Sequence, residues 1–245
     1  MNNNSSRIGT SLLLIAGAAV LAIGLMMFGA RLGFWEPIVG FGLIRNYMNP
    51  IAYCVTALGL AGLVYQVVIQ NRAGAMKATI ASLVGVALLA PMLYGKIQPP
   101  VRFPPIHDIS TDTNNPPAFL VLDESRAGAR NTLVYGGPEV AEHQKKAYPY
   151  IRPIQSNKSS SEAFSEALRV GTEMGWEIVA QDPEKLRFEA TARTPVYRFA
   201  DDIVVVVTPE ENASRIDIRS VSRIGRSDRG VNAARIKAFA TAFEH

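Results

Sequence analysis

The stretch FADDIVVVVTPEENASRIDIRSVSR, residues 199–223, reads as two strands joined by a turn. Its first half is a run of valines behind two aspartates, the composition of a central strand. In its second half Ile216 and Ile218 alternate with Arg215, Asp217 and Arg219, so one face is apolar and the other charged. Strands are expected at residues 202–207 and 215–223, with residues 209–213 turning the chain. Centring that turn on Glu211 pairs Val205 with Asp217 and sets Asp201 and Asp202 opposite residues 219–221. Ser220 and Ser222 continue the face of Ile216 and Ile218, which therefore turns polar at one end. Asp202 and Ser220 are expected to share that end, with Arg223, Arg226 and Arg235 nearby.

Two more strands precede this hairpin. Residues 176–180 form a short one, and in residues 185–193 Leu186, Phe188, Ala190 and Ala192 alternate with Lys185, Arg187, Glu189, Thr191 and Arg193. Ahead of them Ser159-x-x-Glu162 is a capping box. Ala163, Phe164, Ala167, Leu168, Gly171 and Met174 then make one helical face, which Gly175 ends. A last helix begins near Val231 and buries Ile236, Phe239, Ala240 and Phe243. The order is helix, antiparallel meander, helix: an α+β domain with two helices packed on one sheet face. Residues 96–157 read as a connector, stiffened by Pro99, Pro100, Pro104 and Pro105 and then irregular, with a short helix near residues 139–146.

Further out, residues 11–29, 51–69 and 75–93 are apolar runs close to the roughly 20 residues that cross a bilayer core. A three-span helical bundle over residues 1–95 is expected, with the α+β domain at residues 158–245. The first run exceeds the roughly 7–15 apolar residues of a signal peptide and lacks a small-x-small cleavage site, so it reads as a retained span. Small residues such as Gly17, Gly59, Gly62 and Gly85 let helices approach where lipid gives no hydrophobic drive. No span has an ionisable residue at its middle, which argues against a carrier or channel. Residues 31–50, interrupted by Glu36-Pro37 and bearing Phe34, Trp35, Phe41 and Tyr47, are expected to lie along the membrane surface. The basic residues nearly tie across the two sides. An N-in orientation of three spans exports the C-terminal domain, and this orientation is the one expected here.

Charge limits the partners. Residues 1–95 carry Arg7, Arg31, Arg45, Arg72 and Lys77 against Glu36, whereas acids and bases balance in the remainder, so the formal net charge of +4 sits beside the membrane. There it favours anionic lipid headgroups. A neutral domain lacks the basic footprint of nucleic-acid binding. The single cysteine, Cys54, makes no intramolecular disulfide.

Candidate chemistry is sparse. The Asp/Ser/Arg group at the hairpin end can brace the sheet through cross-strand ion pairs worth about 0.2–1 kcal/mol each, bind a polar ligand, or work catalytically. Asp228 or Asn232 can cap the last helix. A helix N-terminus beside Arg226 and Arg229 can alternatively hold an anion. Asp108, Ser110, Asp112 and Asn114 place oxygens at alternate positions, as a calcium loop does. Thr113 stands where such a loop needs glycine and Phe119 where it needs an acid, and an Asx-turn that caps its own backbone fits better. His107 has no partner at zinc-ligand spacing. The chain has no nucleophile elbow, Walker loop or dinucleotide fingerprint, and no cofactor is expected.

The segments PPIHDISTD (104–112), WEIV (176–179), FADD (199–202) and RSVSRIGRSDRGVNAARI (219–236) resemble the bacterial and plastid family known as domain of unknown function 1499. The resemblance covers residues 104–243, and one subgroup of that family carries membrane spans ahead of the domain. It implies that Asp201, Asp202, Ser220, Ser222, Arg223, Asp228, Asn232 and Arg235 are motif positions, and it implies no activity. The expectation is a multi-pass protein of the inner (cytoplasmic) membrane. Its partners would be membrane lipid and, for a periplasmic domain, an envelope protein or a small polar ligand. The alternatives are a tethered hydrolase or transferase acting on an envelope component, and a structural assembly module.

Overall fold

The computed structural model describes residues 3–98 and 101–244. It divides into two compact units, Met1–Val101 with Val196–Arg198, and Arg102–Pro195 with Phe199–His245.

The first unit is helical: α1 Asn3–Phe28, α2 Pro37–Val68, α3 Arg72–Leu88 and α4 Ala90–Ile97. Two helices are by themselves long and apolar enough to cross a membrane, Arg7–Phe28 of α1 and Pro37–Val68. The expected third span falls on α3 and α4, a pair bent by 47°, which makes three spans in all only if the pair counts as one. Pro91, in the first turn of α4, causes the break, because it lacks an N–H and crowds the carbonyl four residues back. The expectation for residues 31–50 is corrected. From Pro37 onward they belong to α2, which runs through Pro50 without ending. Pro37 sits in the first turn, where its missing N–H costs nothing. Asn71 caps α3, its Oδ1 accepting the Gly74 N–H at 3.1 Å.

Small residues set the spacing of these helices. A Cβ on Gly59 would stand 2.7 Å from the Ser82 nitrogen, and one on Gly85 would stand 2.6 Å from that of Thr56. The two hydroxyls in this seam turn back onto their own helices. Thr56 Oγ1 donates to the Ala52 carbonyl at 2.8 Å, and Ser82 Oγ to that of Ala78 at 2.9 Å. Neither of these two hydroxyls leaves its hydrogen unpaired for an apolar surrounding to penalise.

The second unit is a six-stranded antiparallel sheet in the order β1-β6-β5-β4-β3, with β2 pairing β6 beyond β1. Its strands are β1 Asp108–Ser110, β2 Ile154–Ser156, β3 Glu177–Asp182, β4 Arg187–Arg193, β5 Ala200–Glu210 and β6 Ala213–Ser222. Its helices are α5 Gly137–Ala147, α6 Ser160–Glu173 and α7 Val231–Glu244. The capping box at Ser159 and Glu162 is present in both directions. In the segment read as a connector, α5 stands where the short helix was expected, β1 and β2 were not expected, and the compact unit begins at Arg102. Strands of three residues are too short to show a period in sequence; β6 recruits them by offering its open edge.

The hairpin register differs by one residue from the expected pairing. The turn is Glu211-Asn212 alone, with Asn212 at φ +62°, so Glu210 pairs with Ala213 and Val205 with Ile218 rather than Asp217. Asparagine tolerates that left-handed geometry. Phe188, Ile203, Val205, Val207, Ile216 and Ile218 form the face that packs on α6 and α7, where Trp176 stacks on Phe239 at 5.2 Å. The opposite face is covered by a strap, residues 111–135, without helix or strand.

Substituting Gly59 by Val places branched carbon against the Ser82 backbone. Overpacking of this kind costs about 1–3 kcal/mol. Thermal unfolding of the detergent-solubilised chain is expected at lower temperature for Gly59→Val and unchanged for Gly17→Val, whose added Cβ meets nothing.

Candidate functional site

Consecutive residues of a strand point to opposite faces, and Asp201 and Asp202 are therefore separated by the sheet. The expectation that Asp202 and Ser220 share a face is corrected: Asp201 pairs with Ser222 and Asp202 with Val221, so Asp201 is the acid on the face of Ser220. The candidate residues form two clusters back to back.

On the helix face, Arg235 of α7 donates to Asp201 Oδ2 at 2.5 Å through Nη2, and through Nη1 to Asn232 Oδ1 at 2.5 Å and Ser220 Oγ at 3.0 Å. Ser220 Oγ in turn donates to Asn232 Oδ1 at 2.8 Å. The fully buried Asn232 spends its two amide hydrogens on Ser222 Oγ and the His107 carbonyl, both at 3.0 Å. All four of its side-chain positions are used, the condition for burying an amide without loss. Asp228 is the cap of α7, accepting the Gly230 and Asn232 N–H groups at 3.0 and 2.7 Å. Burial pushes its carboxyl above the usual range, the two N–H groups oppose that, and the nearby Asp201 charge adds to the rise. Arg226 is exposed and belongs to neither cluster.

On the strap face, Asp202 is fully buried. Its Oδ1 accepts from Thr191 at 3.0 Å and Arg223 Nη2 at 2.8 Å, and its Oδ2 from Arg126 Nε at 2.7 Å. Arg223 also holds the strap at the Ala127 carbonyl, at 2.9 Å. Next along the sheet, Glu189 accepts three consecutive backbone N–H groups, those of Leu120, Val121 and Leu122, at 2.6, 3.1 and 2.7 Å. Arg219 forms a fork with Asp108, at 2.9 and 2.7 Å, and donates to the carbonyls of Pro117 and Leu133. The rings of Phe119 and Tyr135 lie 5.5 and 5.3 Å from its guanidinium. Burial raises the Asp108 carboxyl, and the bonds from Arg219 pull the other way.

Sequence reading missed Glu189 and Arg126 altogether. In β4 Glu189 alternates with apolar residues, a pattern that ordinarily leaves the charge in solvent. The available signal was that Glu189, Asp202, Arg219 and Arg223 mix both signs on one face, as mutual neutralisation requires.

A family model described as "Protein of unknown function (DUF1499)" matches residues 108–243, a span that includes every bonded side chain of both clusters. The chain belongs to the DUF1499 family. No curated protein matches it. The DUF1499 match opens at Asp108, the residue that anchors Arg219, and runs through the whole strap.

The oxygens once aligned with a calcium loop do not converge. Asp108 is taken by Arg219; Ser110 Oγ donates to the Asp112 carbonyl; Asp112 accepts the Asn114 and Asn115 N–H groups and Arg215. Those two N–H groups make the Asx-turn, and with Arg215 they hold the Asp112 carboxyl below its usual range even though burial opposes them. Among the described residues no three His, Cys, Asp or Glu side chains gather as a metal site.

Replacing Asp202 by Ala strands Arg126 and Arg223 under the strap. Removing one partner of a buried ion pair costs about 3–5 kcal/mol, so chemical denaturation should register a large loss. Arg169→Ala, which breaks exposed pairs with Glu166 and Glu173, should change little. Asp228 sets a pH dependence. Its folded pKa lies above the unfolded value of 3.8, so the unfolded chain releases its proton first and the group's contribution to stability falls as pH rises from 3.8 through the raised value. Asp228→Asn keeps an oxygen for the cap and cannot titrate. The difference in melting temperature, wild type minus Asp228→Asn, should decline over that window and then level off.

Proposed function

We propose that this DUF1499 protein is a membrane-anchored binding protein whose α+β domain is presented to the cell envelope, where it takes a small polar ligand or a protein partner. The N-terminal helices would hold it in the inner membrane as a multi-pass anchor, with the C-terminal domain in the periplasm. One observation carries the binding reading: the carboxylates of both clusters are turned inward. Asp202 has both oxygens engaged by guanidinium groups and a hydroxyl, and Glu189 is closed over by three strap N–H groups. A carboxylate that works as an acid or base needs an oxygen within reach of substrate. Groups so occupied support a rigid frame for a recognition surface over a turnover centre. The equal numbers of acids and bases in residues 96–245 support a partner other than nucleic acid.

Reporter fusions to the C-terminus test this reading. A reporter active only in the periplasm should give signal and one active only in the cytoplasm should stay silent. The reverse pattern overturns the envelope reading and turns the search toward soluble metabolites or a cytosolic partner.

A further inference from the structure

A pocket of about 230 Å³ opens where β4 ends and α7 begins, walled by Trp176, Arg193, Thr194, Val231 and Arg235 among others, with no acidic residue in its lining. Arg235 enters it rigidly. Its side chain is 9% exposed and is tied at its back to Asp201, Ser220 and Asn232 by three hydrogen bonds. A guanidinium has five N–H donors, so part of its set is unspent. Arg193 is the freer of the two, 36% exposed, with Glu177 standing 3.9 Å away, beyond hydrogen-bond distance. Thr194 Oγ1 accepts the Phe199 N–H at 2.9 Å, which leaves its own hydrogen to donate.

Arg193 and Arg235 both line this one small open space, each with an acid beside it outside the lining, Glu177 and Asp201, and Arg235 keeps N–H donors beyond those it spends on its partners. Guanidinium forks match the oxygens of a phosphate, and two such forks offer donors for three phosphate oxygens, more than the two oxygens of a carboxylate can use. The volume lies below the roughly 300–1,000 Å³ of sites for larger ligands; it suits a phosphate with a short appendage. The geometry points to a phosphate-binding site formed by Arg193 and Arg235, the phosphate being carried by a small metabolite or by a lipid headgroup. The inference rests on the binding reading above, and it names that reading's ligand chemistry.

The chain has two tryptophans, so Trp35→Phe leaves Trp176, in the pocket wall, as sole fluorophore. The full chain in phosphatidylcholine nanodiscs is titrated with glycerol phosphate at constant ionic strength. A saturable change in Trp176 emission is expected. Arg193→Gln should raise the half-saturation concentration by about tenfold or more, the effect of losing a charge-assisted bond, and Arg193→Lys should recover part of it. With phosphatidylglycerol in the disc, a lipid source shifts the emission before any titrant is added and weakens the apparent glycerol phosphate binding. A metabolite source leaves the titration as it was. A linear response, or a saturable one that Arg193→Gln leaves unaltered, overturns the site. A silent pocket in a chain whose reporters place the C-terminus in the periplasm sinks this inference alone. A responsive pocket with the C-terminus in the cytoplasm sinks the envelope reading alone.

Discussion

Charge buried beneath a loop must be neutralised where it lies, and that constraint organises the soluble domain. The strap has no ladder of its own, so its backbone groups need partners from elsewhere. Glu189, Arg219 and Arg223 supply them, reaching from the sheet to N–H and carbonyl groups of residues 117–133. Each of these side chains would be costly alone in a dry interior. Asp202, Asp108 and Arg187 offset the charge of those that hold the loop. A second apolar layer would have closed this face with less expense but with less positional definition. The ionic lattice fixes the strap residue by residue.

The same sheet carries a second polar network on its other side, and the two differ in character. Beneath α7 the network is mostly neutral, centred on an amide and two hydroxyls, with one ion pair at its margin. Beneath the strap it is built mainly of ion pairs. Two adjacent aspartates serve both, divided only by the pleat. The helix-face network is also the one with an outlet, since Arg235 continues from Asp201 to a pocket wall.

Local signals were legible in the sequence where a short stretch carries its own chemistry. The capping box at Ser159, the alternation of β6 and the Asx-turn at Asp112 all stand where the residues place them. What the sequence hid was settled by partners far along the chain. β1 and β2 are too short to announce themselves, and only the edge of β6 makes them strands. The turn centres between Glu211 and Asn212 rather than on Glu211, which moves the hairpin by one position. That step was enough to change which residue sits opposite Val205. Pro37 opens α2, whereas Pro91 stands at the break between α3 and α4. The difference lies in whether a preceding helical turn exists for the ring to crowd.

The order of the strands governs when the domain can close. β1, at residues 108–110, has its partner in residues 219–221, and the Arg219–Asp108 fork spans 111 positions. During synthesis the strap emerges long before the strand that holds it, and its charged and polar groups must wait in water. Contacts this distant in sequence slow folding, because the loop has to be ordered before they reward it. The β3–β4–β5–β6 meander can assemble from near neighbours, and the open edge of β6 then receives β1 and β2. Loss of even the last tenth of the chain would remove α7 and open the helix face, however complete the remainder.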